Sequence, residues 1–106
     1  MGASMAIYFQ ATIELRAEHV AKFYQTMETI LPIAEKAGWK LVGAYTQRTG
    51  RLHTVIDLWE LEDFNHYARG LKALGGDKRY AEIAAALAEC IERETTVFLD
   101  RAPYMR

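Results

Sequence analysis

The sequence predicts an α+β domain of ferredoxin-like order, β-α-β-β-α-β, with its second helix broken in two. Two observations carry this prediction. Residues 6–15, 39–47, 52–60 and 94–99 read as strands by alternation or by short apolar, β-branched runs. The stretches between them carry apolar residues at helical spacing, and glycines punctuate the joins.

AIYFQATIEL (6–15) puts Ile7, Phe9, Ala11, Ile13 and Leu15 on one face and Tyr8, Gln10, Thr12 and Glu14 on the other. From Ala17 the period changes to that of a helix. Val20, Phe23, Tyr24, Met27, Ile30, Leu31 and Ala34 form one stripe, and Gly38 is suited to stop the helix. Pro32 lies within it and predicts a kink near Leu31, because proline removes a backbone hydrogen bond. WKLVGAYTQ (39–47) and LHTVIDLWE (52–60) form a hairpin around RTGR, where Gly50 can take a positive φ. FNHYARGLKAL (64–74) is helical, Gly75-Gly76 breaks it, and Asp77 is available to cap the piece that carries Tyr80, Ile83, Leu87 and Ile91. ETTVFL (94–99) is the last strand; Pro103 prevents its tail from extending the sheet.

The chain has 106 residues, enough for one domain with its own core. A formal net charge of -1 gives no general attraction to phosphate backbones or anionic lipid, so neither nucleic acid nor membrane is an expected partner. Cys90 is the only cysteine, which excludes an intrachain disulfide and a CxxC metal knuckle. No apolar run approaches the roughly 20 residues of a membrane span, and no signal peptide is evident, so a cytoplasmic location is expected. MGAS reads as a cloning leader before a natural start at Met5. Residues 1–5 are accordingly expected to be such a leader or a disordered start, 6–101 the domain, and 102–106 a tail.

One face of the sheet is expected to lie under the helices, and the other to be covered by a second copy of the chain. If Arg48 pairs with Arg51, then Thr46, Ala44, Val42 and Lys40 lie opposite His53, Val55, Asp57 and Trp59. We assign these to the open face, together with Tyr8 and Gln10 from the first strand and Thr96 and Phe98 from the last. A bulge would exchange the faces. This mixed aromatic and polar lining suits either a small apolar or aromatic ligand or a moderately wet homodimer interface.

The candidate catalytic residues are His53 and Asp57; the candidate substrate-binding residues are Tyr8, Gln10, Tyr45, Trp59 and Phe98, with the Tyr45 hydroxyl placed at the sheet edge. His53 and Asp57 cannot form a dyad within one strand, since four residues span about 13 Å at roughly 3.3 Å each. No cofactor or metal is expected: the histidines lack neighbours at ligand spacing, and Gly75-Gly76 lacks the strand and pattern of a phosphate loop. Haem is a weaker alternative, with His19, His53 or His66 as conceivable axial ligands.

KLVGAYTQRTGRLHTVIDLWELEDF (40–64) resembles the hairpin of the NIPSNAP family in its KLVG opening, Tyr45, the Gly50 turn and the VIDLWE strand running into an acidic helix start. ILPIAEKAG (30–38) and FNHYARGLKAL are also similar, so the resemblance spans roughly 6–101. It implies a dimeric α/β barrel in which two sheets face each other. Fold relatives include cofactor-free monooxygenases, muconolactone isomerase-like enzymes and haem proteins. Many family members carry histidine where this chain has Asp57. The expected function is small-molecule binding, or cofactor-independent proton abstraction of monooxygenase or isomerase type, in the dimer interior; the alternative is a non-catalytic dimeric interaction module.

Overall fold

The computed structural model describes residues 6–106, so the expectation for residues 1–5 lies outside the described residues. The elements follow the predicted order: β1 (Ile7–Leu15), α1 (Val20–Lys36), β2 (Lys40–Thr46), β3 (Thr54–Leu61), α2 (Phe64–Gly75), α3 (Tyr80–Cys90) and β4 (Ile91–Leu99). A 3-10 turn at Ala17–His19 leads into α1, which continues through Pro32 as one helix of 17 residues.

All strand pairs are antiparallel, in the order β2-β3-β1-β4. This corrects the expected dimeric α/β barrel. Closure requires the two outer strands to pair, whereas β2 and β4 lie on opposite sides of the central β3-β1 pair and end the sheet as edges. The fold is an open ferredoxin-like sheet with helices on one face.

The apolar face of β1 is the buried one, as its alternation predicts. Phe9, Ala11, Ile13 and Leu15 pack with Val55, Trp59 and Leu61 of β3 and with Phe23 and Cys90 of the helices. Each large apolar side chain buried there stabilises the fold by roughly 1.5–3 kcal/mol.

The helix ends are secured by side chains. Asp63 caps α2 by accepting the His66 backbone N–H at 2.8 Å. α3 passes into β4 without a loop, so β4 begins three residues before the predicted start at Glu94. Arg16 donates through Nη1 to the carbonyls of Ala88, Glu89 and Ile91 at 3.2, 3.0 and 2.8 Å, satisfying that helix end.

His66 joins the two halves of the helix layer. Its Nδ1 accepts the Glu62 N–H at 2.9 Å, which leaves the proton on Nε2 to donate to the Ala37 carbonyl at 2.8 Å. Trp39 donates its Nε1–H to the His66 carbonyl at 3.0 Å. Gly70 permits this approach, since a Cβ there would come within 2.1 Å of the Trp39 indole nitrogen. Among the described residues, no helix is long and apolar enough to cross a membrane.

Candidate functional site

The hairpin differs from the predicted register. Thr46 pairs with Val55 and Ala44 with Asp57, each two residues from the expected partner, and a bulge interrupts β2 between Leu41 and Gly43. The residues from Gln47 to His53 form the connection. Gly50 takes the predicted positive φ of 77°, and His53 has a positive φ of 62° just before β3.

The face assignment is also corrected. Asp57 pairs with Ala11 and Trp59 with Phe9, both inward residues of β1, while Thr96 and Phe98 pair with Ala11 and Phe9 from the other side. Asp57, Trp59, Thr96 and Phe98 therefore share the helix-covered face, and Tyr8 and Gln10 lie on the opposite, open one. The open face also carries Ile56 and Leu58, which pair with Thr12 and Gln10 and which the predicted register puts under the helices. β3 is apolar on both faces, so its own sequence does not fix its orientation; pairing with β1 does.

This orientation places Asp57 under α1. Its partners on either side, Ala11 and Ala44, are both small. A cleft of about 240 Å³ opens here between α1 and the β2-β3 edge. Phe23, Met27 and Leu31 of α1 face Leu41, Val55 and Asp57 of the sheet across it, and the exposed Tyr24, Glu28, Tyr45 and Thr46 contribute to its lining.

Asp57 is 4% exposed. No group among the described residues hydrogen-bonds it, and burial, followed by the charge of Glu94, pushes its carboxyl up from 3.8 to about 6. Burial disfavours the charged form because the interior solvates it poorly. Glu94, exposed but paired with Ile13 on the same sheet face, has its carboxyl raised as well, by partial desolvation.

The other predicted residues lie elsewhere. Trp59 is buried in an aromatic cluster, its ring centroid 5.4 Å from that of Trp39. Phe98 packs over β4 against Phe9, Tyr67 and Phe64, with centroids 5.2, 5.1 and 4.9 Å away. Tyr8 donates its hydroxyl to Glu60 Oε1 at 3.2 Å on the open face. His53 is exposed in the hairpin connection, where its carbonyl accepts the Leu15 N–H at 2.9 Å. Of the seven candidates, Asp57 and Tyr45 line the cleft.

Met27, Leu31 and Glu28 were legible in the sequence only as parts of a helix. The available signal was Asp57 itself, an acidic residue in the middle of an apolar strand.

A larger hollow of about 430 Å³ runs between α1 and α3. Its charges are largely answered internally, Lys22 by Glu89 and Arg79 by Asp77, so Asp57 makes the smaller cleft the better candidate. Among the described residues, no group of three or more His, Cys, Asp or Glu could hold a metal ion. Both ring nitrogens of His66 are engaged, and His19 lies 3.7 Å from Glu89.

Comparison with known proteins agrees with the topology. A NIPSNAP-like domain protein from Burkholderia xenovorans has a TM-score of 0.82 at 21% identity, covering 98% of this chain and 91% of that one. A second NIPSNAP domain protein from that organism has a TM-score of 0.80 at 24% identity, covering 94% and 98%. SnoaB, a cofactor-independent oxygenase from Streptomyces nogalater, shares the fold with a TM-score of 0.71 at 11% identity, covering 94% and 96%. No curated protein sequence matches. The NIPSNAP family model matches residues 8–106, and the chain therefore belongs to the NIPSNAP family.

Proposed function

We propose that the cleft between α1 and the β2-β3 edge binds a small apolar ligand, and that Asp57 acts on it as a proton acceptor. The observation that carries this reading is a buried carboxyl without a hydrogen-bond partner, placed in the lining of an apolar cleft. Such a group costs stability unless a donor, from solvent or from a ligand, satisfies it. A ligand hydroxyl or an activated C–H is the kind of donor it lacks. With a pKa of about 6, Asp57 is mostly ionised at neutral pH and is a stronger base than an ordinary aspartate.

SnoaB, a cofactor-independent oxygenase, supports this reading as an example of chemistry hosted by the same fold. Fold alone does not transfer it. Proton abstraction is the part of such chemistry that Asp57 can supply.

A protein-observed NMR screen with small aromatic fragments tests the reading. Shift changes at Met27, Leu31, Val55 and Asp57 are expected on binding. Changes confined to the open sheet face, or none at all, would count against it.

A second reading concerns assembly. Ile56 and Leu58 share the open face with Val97 and Leu99, which are 41% and 38% exposed. We propose that a second copy covers this apolar area in solution. Sedimentation of the wild type against Leu58→Lys should show a dimer converted to monomer; a monomeric wild type would defeat the assembly reading and leave the cleft reading intact. The single reduced thiol, Cys90, fits a cytoplasmic setting.

A further inference from the structure

The charge of the cleft lining narrows the ligand class. Asp57 lies within it and Glu28 on its exposed side, while no lysine, arginine or histidine contributes to the lining. We infer that the cleft selects neutral, small ring compounds bearing one acidic O–H and rejects anions, including carboxylates and phosphates. This rests on the proposed reading that the cleft binds a small ligand.

Size sets the first limit. About 240 Å³ falls below the roughly 300–1,000 Å³ of sites that hold drug-sized ligands, so a ring compound fits better than an extended chain or a nucleotide-borne acyl group. Charge sets the second. An anion entering beside an ionised Asp57 meets a like charge in a poorly solvated space, with no cation in the lining to offset it.

A cationic amine is disfavoured for a different reason. An ammonium brings three donors, whereas the buried polar group of the lining is the carboxyl of Asp57. Burying it beside Asp57 would desolvate two charges at once. A hydroxyl needs only one of the carboxylate's acceptor sites and adds no second buried charge. On reaction, its O–H bond breaks, the proton passes to a carboxyl oxygen of Asp57, and the negative charge moves from the carboxylate to the ligand oxygen. The protonated Asp57 can then donate a hydrogen bond back to it.

Binding of 2-naphthol, 2-naphthoate and 2-naphthylmethylammonium to the full chain at pH 7.5, followed by protein-observed NMR, tests the inference. Naphthol should bind in the cleft and naphthoate at least about tenfold more weakly. Asp57→Asn should narrow that difference to within about threefold by strengthening naphthoate binding, and Glu28→Gln should narrow it slightly, since an exposed charge is better screened. Circular dichroism checks that both variants fold, and Glu28→Gln is an independent probe at an exposed position. Naphthoate binding as tightly as naphthol, an unchanged difference in Asp57→Asn, or the ammonium binding tightest would each overturn the charge selection while leaving ligand binding in the cleft intact. If no probe perturbs the cleft, the binding reading fails and the selectivity inference fails with it.

Discussion

His66 and Asp57 are almost equally buried, at 3% and 4% exposure, yet their surroundings are opposite. The imidazole of His66 engages both ring nitrogens, its backbone N–H bonds Asp63, and its carbonyl accepts from Trp39. Asp57 has no hydrogen-bond partner among the described residues and lies beside a cleft. Burial alone therefore does not distinguish a structural polar residue from a functional one. The first stabilises the fold because every group is answered within it; the second is desolvated by its surroundings and answered only from the cleft, by solvent or a ligand.

The largest test removes the answered group. His66→Ala strips partners from the Glu62 N–H and the Ala37 carbonyl and should cost about 4 kcal/mol, measured by urea unfolding. Fragment binding should persist under conditions where the variant remains folded. A loss below about 1 kcal/mol would mean that the His66 contacts are not a stabilising node.

The next test reverses the sign. Asp57 holds its proton more tightly in the folded chain than its ordinary value of 3.8 implies, so the folded state binds more protons between pH 3.8 and about 6. Stability should fall as pH rises through that window, by at most roughly 3 kcal/mol once Asp57 is ionised, and by less where solvent reaches the carboxyl. Asp57→Asn should flatten this dependence and stabilise the chain by about 2 kcal/mol at pH 7.5 in denaturant unfolding, a gain reduced because its amide also lacks partners. Destabilisation at that pH would argue that the aspartate is structural.

Thr54 sharpens the contrast from another side. Its hydroxyl is buried and unpartnered, but it does not line the cleft. Thr54→Val should stabilise the chain by up to about 1 kcal/mol in thermal unfolding while leaving fragment affinity unchanged. An effect on affinity would join Thr54 to the site. The smallest expected effect is that of Glu94→Gln: a carboxyl NMR titration should place Asp57 lower than in the wild type by less than about one pH unit, since Glu94 ranks below burial as a cause of its raised value.

How much of this was visible in the sequence depended on the strand. β1 alternates Ile7, Phe9, Ala11 and Ile13 with Tyr8, Gln10, Thr12 and Glu14, so its buried face was evident from residue type. β3 offers Val55 and Trp59 on one face and Ile56 and Leu58 on the other. Either choice buries apolar surface, and the polarity of Asp57 pointed outward. Its pairing with Ala11 is a tertiary fact, and local pattern cannot supply it. The cleft was less legible still, because a sequence shows which side chains are present but not the space they leave unfilled. The role of His66 was hidden similarly: Asp63 could be read as a helix-start charge, but the acceptor at Nδ1 and the carbonyl at Ala37 come together only in the folded chain.

The bulge in β2 has a bearing on colloidal behaviour. An edge strand with free backbone groups is a template for another chain, and β2 has the exposed Val42 and Tyr45 besides. The irregular spacing between Leu41 and Gly43 interrupts a continuous ladder along that edge. β4 meets the same hazard with the run Glu92, Arg93, Glu94. One border of the sheet is thus guarded against fibril-like growth by geometry and the other by charge, which leaves the broad faces, rather than the borders, as the safer surfaces for association.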